Sequence, residues 1–467
     1  MLMVSESQRI ATRAARVEQG EAARRTTPVT TLAEHDATGR DPLGLLEGQA
    51  RTRIPELVPV RYGRMASSPF AFYRGAALIM ADDLSRTPTT GLHTHLCGDA
   101  HLSNFGIFAT PERRLAFDIN DFDETYPGPF EWDVKRLVTS LAVAAHENGF
   151  SDKQRLRATL ACAAEYRTTM QYQAEQSTTA VWYSRVDPTA ELTELRDDLD
   201  TTTRERVRKT LAKSRTHDSQ HALAKLTIRV DGRPRIISDP PLIVPIEEIF
   251  AEVDAENLYR ELRRRLSDYR ATLQDDRRVL LDQFELVQAA RKVVGVGSVG
   301  TRAWIVLMLG VDDDPLVLQV KEAQPSILSR YLAGPSFSNQ GERVVQGQRL
   351  MQAASDILLG WQQGPGIDGE SRDFYVRQLR DGKGSAVIET MEPKALRLYG
   401  RVCGRVLAYA HARAGDRIAI ASYLGTTDAF DHAVAEYAET YADQNMRDHA
   451  ELQRAIREGR VTARTGI

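Results

Sequence analysis

Two stretches of this chain carry residue types that do chemistry at a spacing that lets them act together. The first runs Cys97-Gly98-Asp99-Ala100-His101-Leu102-Ser103-Asn104-Phe105-Gly106, and Phe117-Asp118-Ile119-Asn120-Asp121-Phe122-Asp123-Glu124 follows within a hairpin's length. An aspartate, an asparagine five positions on and a further acidic cluster make up the set that phosphoryl transfer uses. One carboxylate orients a hydroxyl, while an amide and a second carboxylate hold magnesium. Four acids within seven residues, Asp118, Asp121, Asp123 and Glu124, repel unless a cation or arginines lie among them. The interleaved Phe117, Ile119 and Phe122 should anchor the cluster against a core, which disfavours a merely solvated acidic turn.

The second stretch begins at Gly295-Val296-Gly297-Ser298-Val299-Gly300. Alone, G-x-G-x-x-G is a weak signal with two competing meanings. A dinucleotide fold needs a helix directly after the glycines, so that its N-terminus meets the pyrophosphate. Here Trp304-Ile305-Val306 predicts a strand, Gly310 to Pro315 a turn, and Leu316 to Ala323 a second strand. A glycine-rich loop between antiparallel strands, with Lys321 on the next strand, matches the nucleotide-covering hairpin of protein-kinase-like folds. The glycines would close over the phosphates and Lys321 would neutralise them; a structural hairpin with glycines at its bends is the alternative. Downstream, 341–354 reads as a helix on which Glu342, or failing it Gln346, is placed to pair with Lys321. Asp373 to Leu379 reads as a strand and 380–385 as a loop, completing a small lobe, its last strand and a hinge.

The rest of the chain must position these stretches. At 467 residues, two lobes are the natural expectation. Net charge is −3, so nothing marks a nucleic-acid partner. Three scattered cysteines without metal spacing, no signal-peptide pattern and no long apolar run predict a cytoplasmic protein with no membrane partner. Residues 1–50, poor in large apolar side chains, read as a solvated, partly flexible arm. Ser68-Pro69 reads as a helix start, and Arg61, Arg64 and Arg74 as phosphate contacts or internal ion pairs. His93 and His95 alternate on a short strand and read as structural. A hairpin of Phe105–Phe108 with Leu115–Phe117 would bring Asp99, Asn104 and the acidic cluster together. Phe130 to Ala145 is a strongly apolar helix with Asp133 near its N-terminus, and 151–275 is mostly helical around a strand at 226–230. His411 lies on an apolar helical stripe and reads as a core or bracing histidine.

Ser68-Pro69-Phe70, the 97–106 stretch, Asn120-Asp121-Phe122-Asp123-Glu124, the 295–302 glycines and Leu318-Gln319-Val320-Lys321-Glu322-Ala323 resemble a bacterial family known as domain of unknown function 2252, over most of the chain beyond about residue 50. That name brings no substrate. More distantly, Gly98-Asp99-x-His101-x-x-Asn104 is similar to the catalytic loop of aminoglycoside and choline phosphotransferases. This likeness implies Asp99 as catalytic base, Asn104 and Asp121 as magnesium ligands, with Asp123 beside them, and Asp133 as the buried brace of the loop. Cys97 departs from it, since those enzymes usually carry histidine there. So does the order, because the nucleotide-lobe motifs follow the catalytic ones; a circular permutation would reconcile this, with the helix ending near His411 preceding the catalytic loop in space.

The expectation is an α+β, bilobal, circularly permuted kinase-like fold. Its parts are an arm (1–50), a catalytic lobe with a helical insertion (51–280), a nucleotide lobe (281–385) and C-terminal helices completing the large lobe (386–467). Its expected activity is ATP- and Mg2+-dependent phosphoryl transfer to an unidentified small-molecule or protein hydroxyl, with Gly295, Gly297, Ser298, Gly300, Lys321 and Glu342 binding nucleotide. Nucleotidyl (AMP) transfer, a nucleotide-binding pseudokinase and, most weakly, a Rossmann oxidoreductase are the alternatives.

Overall fold

The structure is a computed structural model; it describes residues 11–466 apart from 195–200, 216–218, 294, 366–369 and 380–383. The 380–383 part of the expected hinge loop therefore lies outside the described residues.

The chain is α+β. One part is helical, built on the Phe130–Glu147 helix, whose first sixteen residues are all buried. Against it pack the helices Asp152–Glu175, Pro393–Ala414 and Ala429–Arg457, sharing a core with Val138, Leu141, Leu407 and Tyr437. A helix buried on every side needs partners all round, and these three supply them.

The other part is a six-stranded antiparallel sheet in the order Gly360–Pro365, Ser371–Gln378, Pro315–Ala323, Ala303–Leu309, Glu285–Lys292, Ile243–Pro245. Strand alternation divides its faces. Leu316, Leu318 and Val320 pack with Tyr269 and Leu273 on one side, while Gln319 and Lys321 turn to a cleft on the other. In register, Lys321 stands between Ala303 and Tyr375. Two smaller hairpin-like pairs matter for the site: Phe105–Ala109 with Leu115–Ile119, and His93–Leu96 with Tyr126–Pro129.

Two expectations change. Residues 11–50 are not a loose arm: the Arg13–Thr26 helix packs on Arg417–Leu424, and Leu32 and Leu46 are fully buried. Sparse apolar residues suffice there because each one is inserted. The helix Ala255–Ala271 belongs with the sheet rather than with the residues before 280. Its Leu258 and Tyr269 are buried against the sheet's strands, and Ile243–Pro245 supplies the sheet's edge. An amphipathic helix of charged composition reveals its face but not which sheet it covers.

Candidate functional site

Gly98 begins the site. Its φ is +82°, and a Cβ there would lie 2.3 Å from the Glu124 carbonyl oxygen, so only glycine lets the 97–104 loop close onto the acidic segment. Asp133, 1% exposed, accepts the backbone N–H of Cys97 at 2.7 Å and of Gly98 at 3.0 Å. His411 Nε2 stands 3.3 Å from Asp133 Oδ2, and His411 Nδ1 is 2.9 Å from the Tyr166 hydroxyl. His411 is thus a brace within the core, and Cys97 is buried and leaves the bracing to these groups.

One turn after Asp133, Arg136 reaches the same loop. Its Nη2 and Nε donate to Asp99 Oδ1 at 2.7 and 2.9 Å. Burial pushes the Asp99 carboxyl up to about 6 against the opposing pull of Arg136, and the nearby Asp121 charge pushes the same way as burial. Asn104 Nδ2 donates to the Asp99 carbonyl at 2.9 Å, which leaves its Oδ1 as the amide atom suited to a cation. The Asn120 N–H bonds the Asn104 carbonyl at 2.8 Å, tying the loop to the acidic cluster.

The four acids divide into two pairs. Asp118 accepts from the Ile119 and Ala353 N–H groups, and Glu124 accepts from the Ile327 N–H at 2.8 Å. Both are structural, and burial pushes both up, Glu124 to about 7. Asp121 and Asp123 instead meet Lys321, whose Nζ lies 3.5 Å from Asp121 Oδ2 and 2.8 Å from Asp123 Oδ2. Lys321 is 4% exposed, and the two carboxylates raise its value despite burial. The Tyr375 hydroxyl donates to Asp123 Oδ1 at 2.5 Å.

Glu342 does not hold Lys321. It accepts from Gln346 Nε2 at 2.7 Å, and Lys321 pairs with Asp121 and Asp123. The next residue along is the one that reaches inward: Arg343 donates to the Asp123, Thr125 and Gln324 carbonyls at 2.8, 2.6 and 2.8 Å. At 100° per residue, a one-position error on a helix turns a side chain from the buried side toward solvent.

The 295–300 loop is gripped from the 53–74 segment. Arg64 Nη1 donates to the Gly295 carbonyl at 2.5 Å, Ile54 N–H to the Gly300 carbonyl at 2.7 Å, and a Cβ on Gly297 would lie 3.1 Å from the Arg74 carbonyl. Arg61 is fully buried and bonds Gly75 and Gln49, a structural role. Arg74 differs from both: it lines the cleft, and its Nε is buried without a partner. A cleft of about 650 Å³ is lined by Asn104, Asp121, Gly295, Ser298, Lys321 and Arg74, with Leu379 and Ile357 as apolar wall. Asp123 joins it through Lys321, and Asp99 stands close enough to the lining residues Asp121 and Arg74 for their charges to act on it.

Among the described residues, no cluster of three or more His, Cys, Asp or Glu could hold a metal ion unaided. Asp121, Asp123 and the Asn104 oxygen nevertheless fit magnesium, which takes one or two carboxylates and completes its shell with substrate phosphates and water. The cation-demanding pair already holds an ammonium group.

Sequence reasoning missed Arg136, Arg343 and Tyr375. Arg136 had a signal, since it stands one turn from Asp133 on the same helix face; Tyr375 is legible only through the Lys321 strand register.

Residues 53–455 match a family model described as an uncharacterized protein conserved in bacteria (DUF2252), and the chain belongs to that family. No curated protein and no solved structure matches it.

Proposed function

We propose that this protein is an ATP- and magnesium-dependent phosphotransferase, moving the γ-phosphate to a hydroxyl acceptor on a circularly permuted kinase-like fold. The observation that carries the reading is the ion pair of Lys321 with Asp121 and Asp123, at a cleft that Asn104 and the 295–300 loop also line. The permutation is supported where the Pro393–Ala414 helix ends: the Thr94 hydroxyl, on the strand leading into the 97–104 loop, lies 3.4 Å from the His411 carbonyl.

In this reading Asp99 accepts the acceptor's proton, and Arg136 keeps it ionised and aimed. Lys321 exchanges its carboxylate partners for phosphate oxygens, and the glycine loop offers backbone N–H groups. Magnesium, when bound, neutralises charge across the phosphates and is held by Asn104, Asp121 and Asp123. Arg74, a guanidinium in the cleft with an unpartnered Nε, grips the transferring group. Catalysis then comes from positioning and charge neutralisation.

The test is a nucleotide and metal panel by thermal shift, followed by transfer assays with α- and γ-labelled ATP. Stabilisation by MgATP and γ-label transfer lost in Asp99→Ala and Asp121→Ala are expected. Transfer of α-label would identify an AMP transferase, and stabilisation without transfer to any acceptor a pseudokinase. Turnover that survives both substitutions would overturn the site.

A further inference from the structure

The face of the sheet opposite Lys321 holds a second cavity, of about 510 Å³. Its floor is Trp304, Leu318, Val320 and Phe374, and its roof is Leu258, Leu262 and Leu266 of the Ala255–Ala271 helix. Protein interiors pack to crystal density, and voids beyond a water molecule are few. An apolar space of this size does not favour water and has the dimensions of a small-molecule site.

The cavity's charged lining residues are Arg265, Arg291, Arg302, Arg372 and Glu261, and each arginine meets a carboxylate: Arg265 that of Glu261, Arg291 that of Glu56, Arg302 and Arg372 that of Glu322. Two polar atoms on its wall are buried without any partner: Arg291 Nε and Gln362 Oε1. Buried polar atoms are normally satisfied; the two stand four strands apart across the sheet, and Arg291 Nε, the cationic one, marks where an anionic head group belongs. A guanidinium suits a carboxylate; Arg291 holds Glu56 through Nη1 at 2.9 Å and leaves Nε for a second one.

We propose that this cavity binds a long-chain carboxylate, its hydrocarbon tail between the Ala255–Ala271 helix and the sheet and its carboxylate at Arg291. The ligand would press on Val320, the neighbour of Lys321 in the same strand, but the binding itself does not depend on the phosphotransfer reading.

Titration calorimetry of the full chain with dodecanoate, below micelle-forming concentration and without nucleotide, tests this. Saturable one-to-one binding is expected, at least tenfold tighter than for dodecanol. Val306→Trp, which fills the cavity, should abolish it while far-UV circular dichroism and cooperative unfolding persist; Leu262→Phe serves if that variant does not fold. Arg291→Ala should weaken dodecanoate at least tenfold and leave dodecanol unchanged. Absence of saturable binding, undiminished binding to the filled variant, or equal affinity for acid and alcohol in the unsubstituted protein would each overturn the proposal.

Discussion

Lys321 Nζ lies 2.8 Å from Asp123 Oδ2, although 198 positions separate the two residues. A buried ammonium between two carboxylates is the link that turns an acidic turn and a glycine hairpin into one cleft, and it makes the site's electrostatics testable without knowing the acceptor.

Lys321→Met removes the ammonium group from Asp121 and Asp123 and leaves the Arg377 guanidinium as the cation that still acts on both. Breaking a buried pair costs about 3–5 kcal/mol, less here because both carboxylates are 28% exposed. The variant should melt several degrees lower, and millimolar MgCl2 should restore more of its stability than that of the unsubstituted protein. Thermal unfolding with and without Mg2+ reads this; equal responses to the ion would argue against a cation site.

The Asp99 carboxyl is raised to about 6, chiefly by burial. A base works only when ionised, so the transfer rate should fall as pH drops through about 6. Arg136→Gln removes the partner that opposes the rise, and should move this acidic limb upward by about one pH unit while lowering kcat at neutral pH roughly 10²-fold. A pH–rate profile of both proteins is the measurement.

Arg74→Ala removes a cleft guanidinium that makes no hydrogen bond through its buried Nε, so the fold should survive. If Arg74 grips the γ-phosphate, the variant should lose the preference for ATP over ADP while keeping ADP-induced stabilisation. A thermal-shift titration with both nucleotides distinguishes this from Lys321→Ala, which should weaken both.

Glu124 is raised to about 7 from an ordinary 4.5, mainly by burial. The native state therefore holds this proton more tightly than the unfolded chain, and the stability it contributes below 4.5 is lost as pH rises through 7. Glu124→Gln keeps an acceptor for the Ile327 N–H and carries no charge. Its stability should match the unsubstituted protein's near pH 4 and exceed it at pH 8 by on the order of 1–3 kcal/mol, read from denaturant midpoints.

Much of the site was legible because it is written in local spacing. Gly98, Asp99, Asn104 and the hairpin bringing Asp121 within reach sit inside 25 consecutive positions, where strand periodicity and turn chemistry determine the geometry. The same holds for the strand direction of Trp304 to Val306, which favoured a hairpin over a dinucleotide fold. The structure alone decided which partners meet over long separations. Arg343 rather than Glu342 turns inward because helix rotation is set by packing of Val344 and Val345 against the core. Arg61, Arg64 and Arg74, alike in sequence, divide into a buried strut, a loop anchor and a cleft guanidinium. Residues 11–50 proved to be part of the core, and the cavity above Val320 has no sequence signature at all. Residue type and spacing specify what a segment can do; burial, ion-pair choice and empty volume are properties of surfaces that exist only once distant segments have packed.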